Sequence, residues 1–206
     1  MKIICIGRNY VDHAKELNNP VPEKPVVFMK PSTALLVNDK PFYYPEFSND
    51  IHHEVEVVLR ICKNGRHIQP EFAMSYFDAV ALGIDFTARD LQQVCKKKGH
   101  PWEIAKAFDD SAVVSPFVPV EEVDLSGIRF ALDKNGQTVQ EGNTADMIFS
   151  FTDILVYVSR FFRLTVGDYI FTGTPAGVGP VQVGDRLVGR MQTAAGWQEM
   201  FHCEVR

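Results

Sequence analysis

His52-His53-Glu54-Val55-Glu56-Val57-Val58-Leu59 reads as a β-strand. Side chains alternate between faces along a strand, so Val55, Val57 and Leu59 point one way and make an apolar core face. His52, Glu54 and Glu56 point the other way, which sets two carboxylates side by side. Like charges at neighbouring positions repel, and burial penalises each of them further. Three environments relieve that cost: a solvated face, protonation of one carboxyl, or a cation between the two. An E-x-E on a wet strand face is common, and the segment alone does not separate these cases.

A second apolar run, Ala79-Val80-Ala81-Leu82-Gly83-Ile84, has the length and composition of a buried strand and ends on Asp85. An Asp there is placed like a site residue, although it can equally cap a helix that starts at Thr87. Turn dipeptides add hairpins. Asn64-Gly65 separates Glu54–Cys62 from Arg66–Gln69, and Asn135-Gly136 separates Ile128–Leu132 from Thr138–Gln140. Both dipeptides tolerate positive φ at the two central positions of a tight hairpin. Thr165–Ile170 and Gln182–Leu187 each read as a Gly-Asp turn leading into a strand, and a last hairpin turns near Ala195-Gly196 and ends at Val205.

Helices are fewer. Thr152 to Phe162 carries Ile154, Leu155, Val158, Phe161 and Phe162 at helical spacing, a stripe that should face the core. Thr87 to Lys98 opens on Thr87-x-x-Asp90, like a capping box, and closes on three lysines, Gly99 and Pro101. Lysines in a last turn complement the helix dipole and need no anionic partner. A shorter helix covers about Tyr10 to Leu17. The fold class is therefore α+β: a β-rich, mainly antiparallel body with a few short helices. With no linker, repeat or low-complexity tract, residues 1–206 read as a single domain.

The 206 residues are ample for a core, and a hydrophobic fraction of 46% with 23% charged residues is that of an ordinary globular protein. A net charge of −5 argues against nucleic-acid or membrane-surface binding, both of which need a basic footprint. Cys5, Cys62, Cys95 and Cys203 are scattered and form no C-x-x-C pair, which disfavours a zinc knuckle or a disulfide scaffold and favours a reducing cytoplasm. The apolar start Met1–Ile6 is too short for a signal peptide, and no segment approaches the roughly 20 apolar residues of a membrane span.

If a cation does sit among Glu54, Glu56 and Asp85, the donor set is all oxygen. That suits Mg²⁺ or Mn²⁺, with Ca²⁺ also compatible, and leaves about three of six positions open to water and substrate. An open site of that kind is catalytic in character.

Several motifs surround these carboxylates. They are Gly7-Arg8-Asn9-Tyr10-x-x-His13-x-x-Glu16, Lys30-Pro31, His53-x-x-Glu56, and Asp85-x-Thr87-Ala88-Arg89-Asp90-x-Gln92. Lys106-x-Phe108-Asp109 and Thr172-Gly173-Thr174-Pro175-x-Gly177-Val178-Gly179 follow. In order and spacing the chain resembles the fumarylacetoacetate hydrolase superfamily, in its short branch of acylpyruvate hydrolases, oxaloacetate decarboxylases and related isomerases. The resemblance implies a β-roll of that family, usually a homodimer, with Glu54, Glu56 and Asp85 binding Mg²⁺ or Mn²⁺. It implies a mobile lid over about residues 10–25 carrying a His13–Glu16 dyad, and catalytic places for Gln92 and Lys106. It places Arg8, Lys30, Gly173 and Thr174 against the substrate. Two departures stand out: Ser115-Pro116 replaces the Gly-Pro of many relatives, and the extra domain of the large eukaryotic enzymes has no counterpart, so fumarylacetoacetate itself is not the expected substrate.

Read from the residues alone, His13 and Glu16 share a helix face, where the carboxylate can orient the imidazole, though a solvated pair has the same spacing. Gln92 can face solvent, and Lys106 has apolar neighbours that suggest partial burial. Gly173, Gly177 and Gly179 fit neither phosphate-loop spacing, so the loop reads as a turn offering amides and the Thr174 hydroxyl to a carboxylate. Trp102 and Trp197 read as core or interface residues. The expected chemistry is metal-assisted cleavage of a small 2-oxo acid through a pyruvate enolate, by acylpyruvate hydrolysis or oxaloacetate decarboxylation. Isomerisation of 2-hydroxyhepta-2,4-diene-1,7-dioate and keto–enol tautomerisation of oxaloacetate are alternatives. From other classes come a non-catalytic, metal-dependent 2-oxo-acid binder and a structural protein with wet carboxylates.

Overall fold

The computed structural model describes residues 1–16, 20–37 and 39–206. In chain order the first strands are β1 (Ile3–Gly7), β2 (Val26–Lys30), β3 (Leu35–Leu36), β4 (Ile51–His53) and β5 (Val55–Ile61). Then come β6 (Phe77–Asp85), β7 (Thr87–Ala88), β8 (Ala112–Val114), β9 (Val118–Pro119), β10 (Arg129–Lys134) and β11 (Gln137–Asn143). The last are β12 (Tyr169–Phe171), β13 (Gly179–Pro180), β14 (Arg186–Thr193) and β15 (Gly196–Glu204). The α-helices are α1 (Val11–Glu16), α2 (Pro70–Ala73), α3 (Arg89–Lys98), α4 (Glu103–Lys106) and α5 (Phe151–Ser159).

The largest sheet runs β2-β1-β12-β5-β6-β8-β3, with β9 added beside β6. A four-stranded sheet, β11-β10-β14-β15, packs against it, and a small sheet, β13-β4-β7, closes one end. Among the strands of the described residues only β1–β12 and β3–β8 pair in parallel, so the mainly antiparallel reading holds. The alternation along β5 also holds. Val55, Val57 and Leu59 enter the main core with Leu82, Ile84 and Phe130, while Val58 joins a smaller cluster with Ile3, Cys5, Ala81 and Phe171 on the opposite face. At Gly83, directly across from Glu56, a Cβ would lie 2.6 Å from the Val113 carbonyl oxygen and 2.9 Å from Phe171, so only glycine lets β8 and β12 close in here.

The turns divide instructively. Asn135 and Gly136 adopt φ of 54° and 81° and join β10 to β11, as the dipeptide demands. Gly167 and Gly184 both have positive φ, and each following Asp accepts a backbone N–H three residues back, at Thr165 and Gln182. The Asn64-Gly65 hairpin does not form. Gly65 instead bridges Leu164, the Asn64 side chain accepts the Val166 N–H, and β5 finds its partner in β6.

The strand expected over His52–Leu59 is interrupted at Glu54, and β4 belongs to the small sheet. Thr87 does not cap α3. It lies in β7, the helix starts at Arg89, and Asp90 turns to the Ser48 hydroxyl at 2.7 Å. At the other end Gly99 takes the left-handed conformation, as expected. α5 begins with a capping box formed by Ser150 and Asp153 and ends at Ser159, which leaves Phe161 exposed outside the helix. Ser115, in place of glycine, continues the pairing on β6, where its N–H donates to the Leu82 carbonyl and its hydroxyl accepts the Leu82 N–H. α1 matches the described part of the Tyr10–Leu17 helix; Leu17, Asn18 and Asn19 lie outside the described residues.

Candidate active site

β5 and β6 bring the acidic residues together. Glu56 lies in β5, Asp85 closes β6, and the Asp85 N–H donates to the Glu54 carbonyl at 2.8 Å, tying the strand break to the strand end. Glu54, Glu56 and Asp85 are 5%, 2% and 0% exposed, and one carboxylate oxygen from each lies within 4.8 Å of the others. A wet strand face is thereby ruled out, as is a capping role for Asp85.

Cations compensate the cluster unevenly. The Lys106 ammonium donates to Glu54 at 2.8 Å and to Asp85 at 2.7 Å, and also to the Thr87 hydroxyl. Arg89 donates to Glu54 and, at 2.7 Å, to the Gln92 side-chain oxygen. Glu56, among the described residues, has only the Gly173 N–H, at 2.7 Å. The consequences diverge. Burial works against ionisation of Glu54, but Lys106, Arg89 and His13 outweigh it and hold the carboxyl well below its ordinary value. Burial, then Asp85 and Glu54, push Glu56 well above the ordinary value, with Gly173 and Lys106 offsetting only part. A buried carboxyl without its own counter-charge is where added positive charge stabilises most. The all-oxygen donor set and the uncompensated Glu56 together fit a hard divalent ion.

α1 lays His13 over this floor. His13 is buried, its Nδ1 lies 3.3 Å from Glu16 Oε2, and Glu16 Oε1 accepts the Gly177 N–H at 3.0 Å. Burial pulls the imidazole pKa down, and Glu54 and Glu16 restore only part, so the neutral imidazole is favoured. Asn9 anchors the start of α1. Its amide donates to Phe149 and Thr172 carbonyls and its oxygen accepts the Phe149 N–H. Gly173, with φ of 105°, passes so close to Asn9 that a Cβ would fall 2.5 Å from the Asn9 Cβ.

The space between α1 and the floor, about 400 Å³ with its open mouth, is walled by Arg8, His13, Gln92, Lys106 and Thr174 together with the three carboxylates. Ile6, Gly7, Phe28, Arg89, Lys96 and Trp102 complete it. Lys30 and Gly173, expected against the substrate, are placed elsewhere. The Lys30 ammonium is fully buried behind the floor, 2.8 Å from Asp85 Oδ1 and hydrogen-bonded to Ser111 and the Lys106 carbonyl. Gly173 spends its N–H on Glu56. Trp102, read as core or interface, lines the cleft; Trp197 lies partly exposed with Arg129 and Arg190 over its ring.

Arg89, Lys96, Trp102 and Gln140 had no assigned role at the site in the sequence. Arg89 stands in the Asp85–Gln92 motif and shares a helix face with Gln92, and Lys96 continues that face. Trp102 gave no signal of its own. Gln140 is a hub: its oxygen meets His53 Nδ1 and the Val55 N–H, and its amide donates to the Thr174 hydroxyl and the Pro175 carbonyl. It thus ties the glycine loop to the strand that carries the acids.

A family model described as "Fumarylacetoacetate (FAA) hydrolase C-terminal" matches residues 2–199. The chain belongs to the fumarylacetoacetate hydrolase family. Within that family it is 47% identical over 186 residues to the mitochondrial oxaloacetate tautomerase FAHD1 of Mus musculus, a match covering 90% of this chain and 84% of the relative. Oxaloacetate tautomerase YcgM of Escherichia coli (strain K12) is 43% identical over 188 residues, covering 90% and 86%. The crystal structure of fumarylpyruvate hydrolase from Pseudomonas aeruginosa in complex with Mn²⁺ and pyruvate superposes with a TM-score of 0.92. It is 36% identical and covers 100% of this chain and 89% of that one. The expected family fold is therefore the observed one, and this member is an enzyme like the relatives around it.

Proposed function

We propose that this enzyme acts on small 2-oxo acids with a divalent ion, Mg²⁺ or Mn²⁺, and breaks the carbon–carbon bond beyond C3, hydrolysing acylpyruvates or decarboxylating oxaloacetate. The observation that carries the reading is the cluster of Glu54, Glu56 and Asp85 buried beneath a neutral His13. A divalent ion held by these three carboxylates would supply Lewis-acid polarisation of the keto oxygen and offset the charge of an enolate. The Mn²⁺ named in the Pseudomonas aeruginosa complex supports this ion class.

The chain's own residues do the rest. Thr174 and Gln92, which both line the cleft, bind and orient the substrate carboxylate. Lys106 brings positive charge next to the reacting end. The His13 ring takes a proton from a water aimed at the distal carbonyl, with Glu16 orienting it. C3–C4 cleavage then releases a carboxylic acid and pyruvate enolate, which gains a proton at C3. Closure of α1, latched at Gly177, excludes bulk water. In this reading α1 is a lid that opens, the whole chain is one catalytic domain, and two copies form a dimer. The unpaired cysteines support a reducing compartment, which we take to be the cytoplasm.

A second reading is favoured by the names of the relatives at 43–47% identity: removal and return of a C3 proton, which interconverts the keto and enol forms of oxaloacetate. The same dyad can move that proton. Parallel Mn²⁺-supplemented assays with acetylpyruvate, fumarylpyruvate and oxaloacetate, following pyruvate, CO₂ and enol absorbance, decide between them. Pyruvate release from an acylpyruvate or from oxaloacetate supports the first reading. Loss of enol absorbance without pyruvate supports the second. No metal-dependent turnover of any of the three overturns both.

A further inference from the structure

Arg89, Gln92 and Lys96 stand at positions i, i+3 and i+7 of α3 and so present one face to the cleft. Arg89 and Gln92 work at the acidic floor. Lys96 lies about 10 Å further along the helix axis from Arg89, at 1.5 Å per residue, with its side chain leaning back toward the helix N-terminus and therefore over the cleft. The helix dipole does not explain it, since Lys97 and Lys98 are exposed in the same turn while Lys96 alone is half-buried. Its ammonium sits 5.5 Å from the Trp102 ring centroid.

Arg8 lines the same cleft, half-buried like Lys96 and held at φ of 59°, a left-handed conformation that strains a residue carrying a side chain. The floor cations, Lys106, Arg89 and Lys30, each have a carboxylate partner. Arg8 and Lys96 have none among the described residues. Burial, with Arg8 and Arg89 nearby, lowers the Lys96 pKa to about 8, so these cations face one another at a cost that an anion would relieve.

We infer that Arg8 and Lys96, with Trp102 beneath the ammonium, form a second anion subsite at the cleft mouth that takes the distal carboxylate of a dicarboxylic 2-oxo acid. The inference rests on the proposed 2-oxo-acid reading and adds a preference that the floor cannot supply: the floor reads the head that every 2-oxo acid shares, and the mouth reads its far end.

The test is calorimetric binding of pyruvate and of 2-oxoglutarate to the full chain with Mn²⁺, in the parent, Lys96→Gln and Lys96→Arg. The two probes share a head and differ in the distal carboxylate. The parent should bind 2-oxoglutarate about tenfold tighter than pyruvate, the size of one charge-assisted hydrogen bond. Lys96→Gln should erase most of that preference and Lys96→Arg should keep it. Equal affinities in the parent, or a Lys96→Gln loss shared equally by both probes, overturns the subsite and leaves the 2-oxo-acid reading intact. Absence of Mn²⁺-dependent binding of either probe overturns both.

Discussion

The Glu16 carboxylate accepts the Gly177 N–H at 3.0 Å across 161 positions of sequence, while its second oxygen lies 3.3 Å from His13. One side chain thus ties α1 to the glycine loop and holds the His13 imidazole, so in the proposed mechanism it serves both lid and base. Glu16→Ala should lose both functions: turnover falls about 10²-fold, the lower range for general-base catalysis, and amide exchange over α1 accelerates. Glu16→Gln keeps an acceptor for Gly177, so it should lose rate while α1 stays protected. Equal exchange in the two variants would dissociate the latch from Glu16.

The His13 base gives a pH dependence. Burial lowers its pKa from the ordinary 6.5, and the proposed mechanism requires the neutral ring. Hydrolytic kcat should therefore hold down through pH 6.5 and fall only as pH drops through the lowered value. His13→Ala should remove the rate and that limb of the profile while leaving Mn²⁺ affinity nearly unchanged.

Glu56 separates metal binding from folding. Glu56→Gln preserves shape and removes a carboxyl that Asp85 and Glu54 already oppose. Thermal unfolding without metal should shift little. In the parent, Mn²⁺ at roughly 100 times its Kd should add about 2.7 kcal/mol of stability. Chelation by EDTA should reverse the gain, and Glu56→Gln should show almost none.

Lys30 belongs to the fold more than to the substrate. Its ammonium is buried against Asp85, so Lys30→Met leaves that carboxylate with Lys106 alone. Removing one partner of a buried pair costs about 3 to 5 kcal/mol, which urea unfolding should register.

Asp168 offers a test away from the cleft. Burial opposes its ionisation, but Lys2 and the Thr165 N–H and hydroxyl prevail and hold its pKa below the ordinary carboxylate value. Because the folded value is depressed, its contribution is present above the unfolded pKa and is lost as pH falls through the folded one. Asp168→Ala should cost about 2 kcal/mol at neutral pH and much less in acid, measured by denaturant unfolding.

Sequence by itself determined whatever depends on local geometry. The two-residue period set Val55, Val57 and Leu59 to the core and Glu56 to the other face, because successive side chains of a strand must alternate. Asn135-Gly136 turned a hairpin because both residues tolerate positive φ. The ordered motifs pointed to the right family, and Glu54, Glu56 and Asp85 to the right neighbourhood.

Tertiary structure decided every matter of partnership. Asn64-Gly65 has the same local freedom as Asn135-Gly136, yet Leu164, a hundred residues away, claims Gly65. Thr87 has a capping residue's chemistry, but its hydroxyl lies within reach of Lys106, and the helix starts without it. Lys30 went behind Asp85, Lys96 to the mouth, and Gln140 between the acidic strand and the glycine loop. A buried polar group takes whichever partner the folded chain sets beside it, and those partners are distant in sequence. Periodicity showed which way the carboxylates face; only the packing of β5, β6, α1 and α4 showed that they are buried together, with Glu56 left to be neutralised.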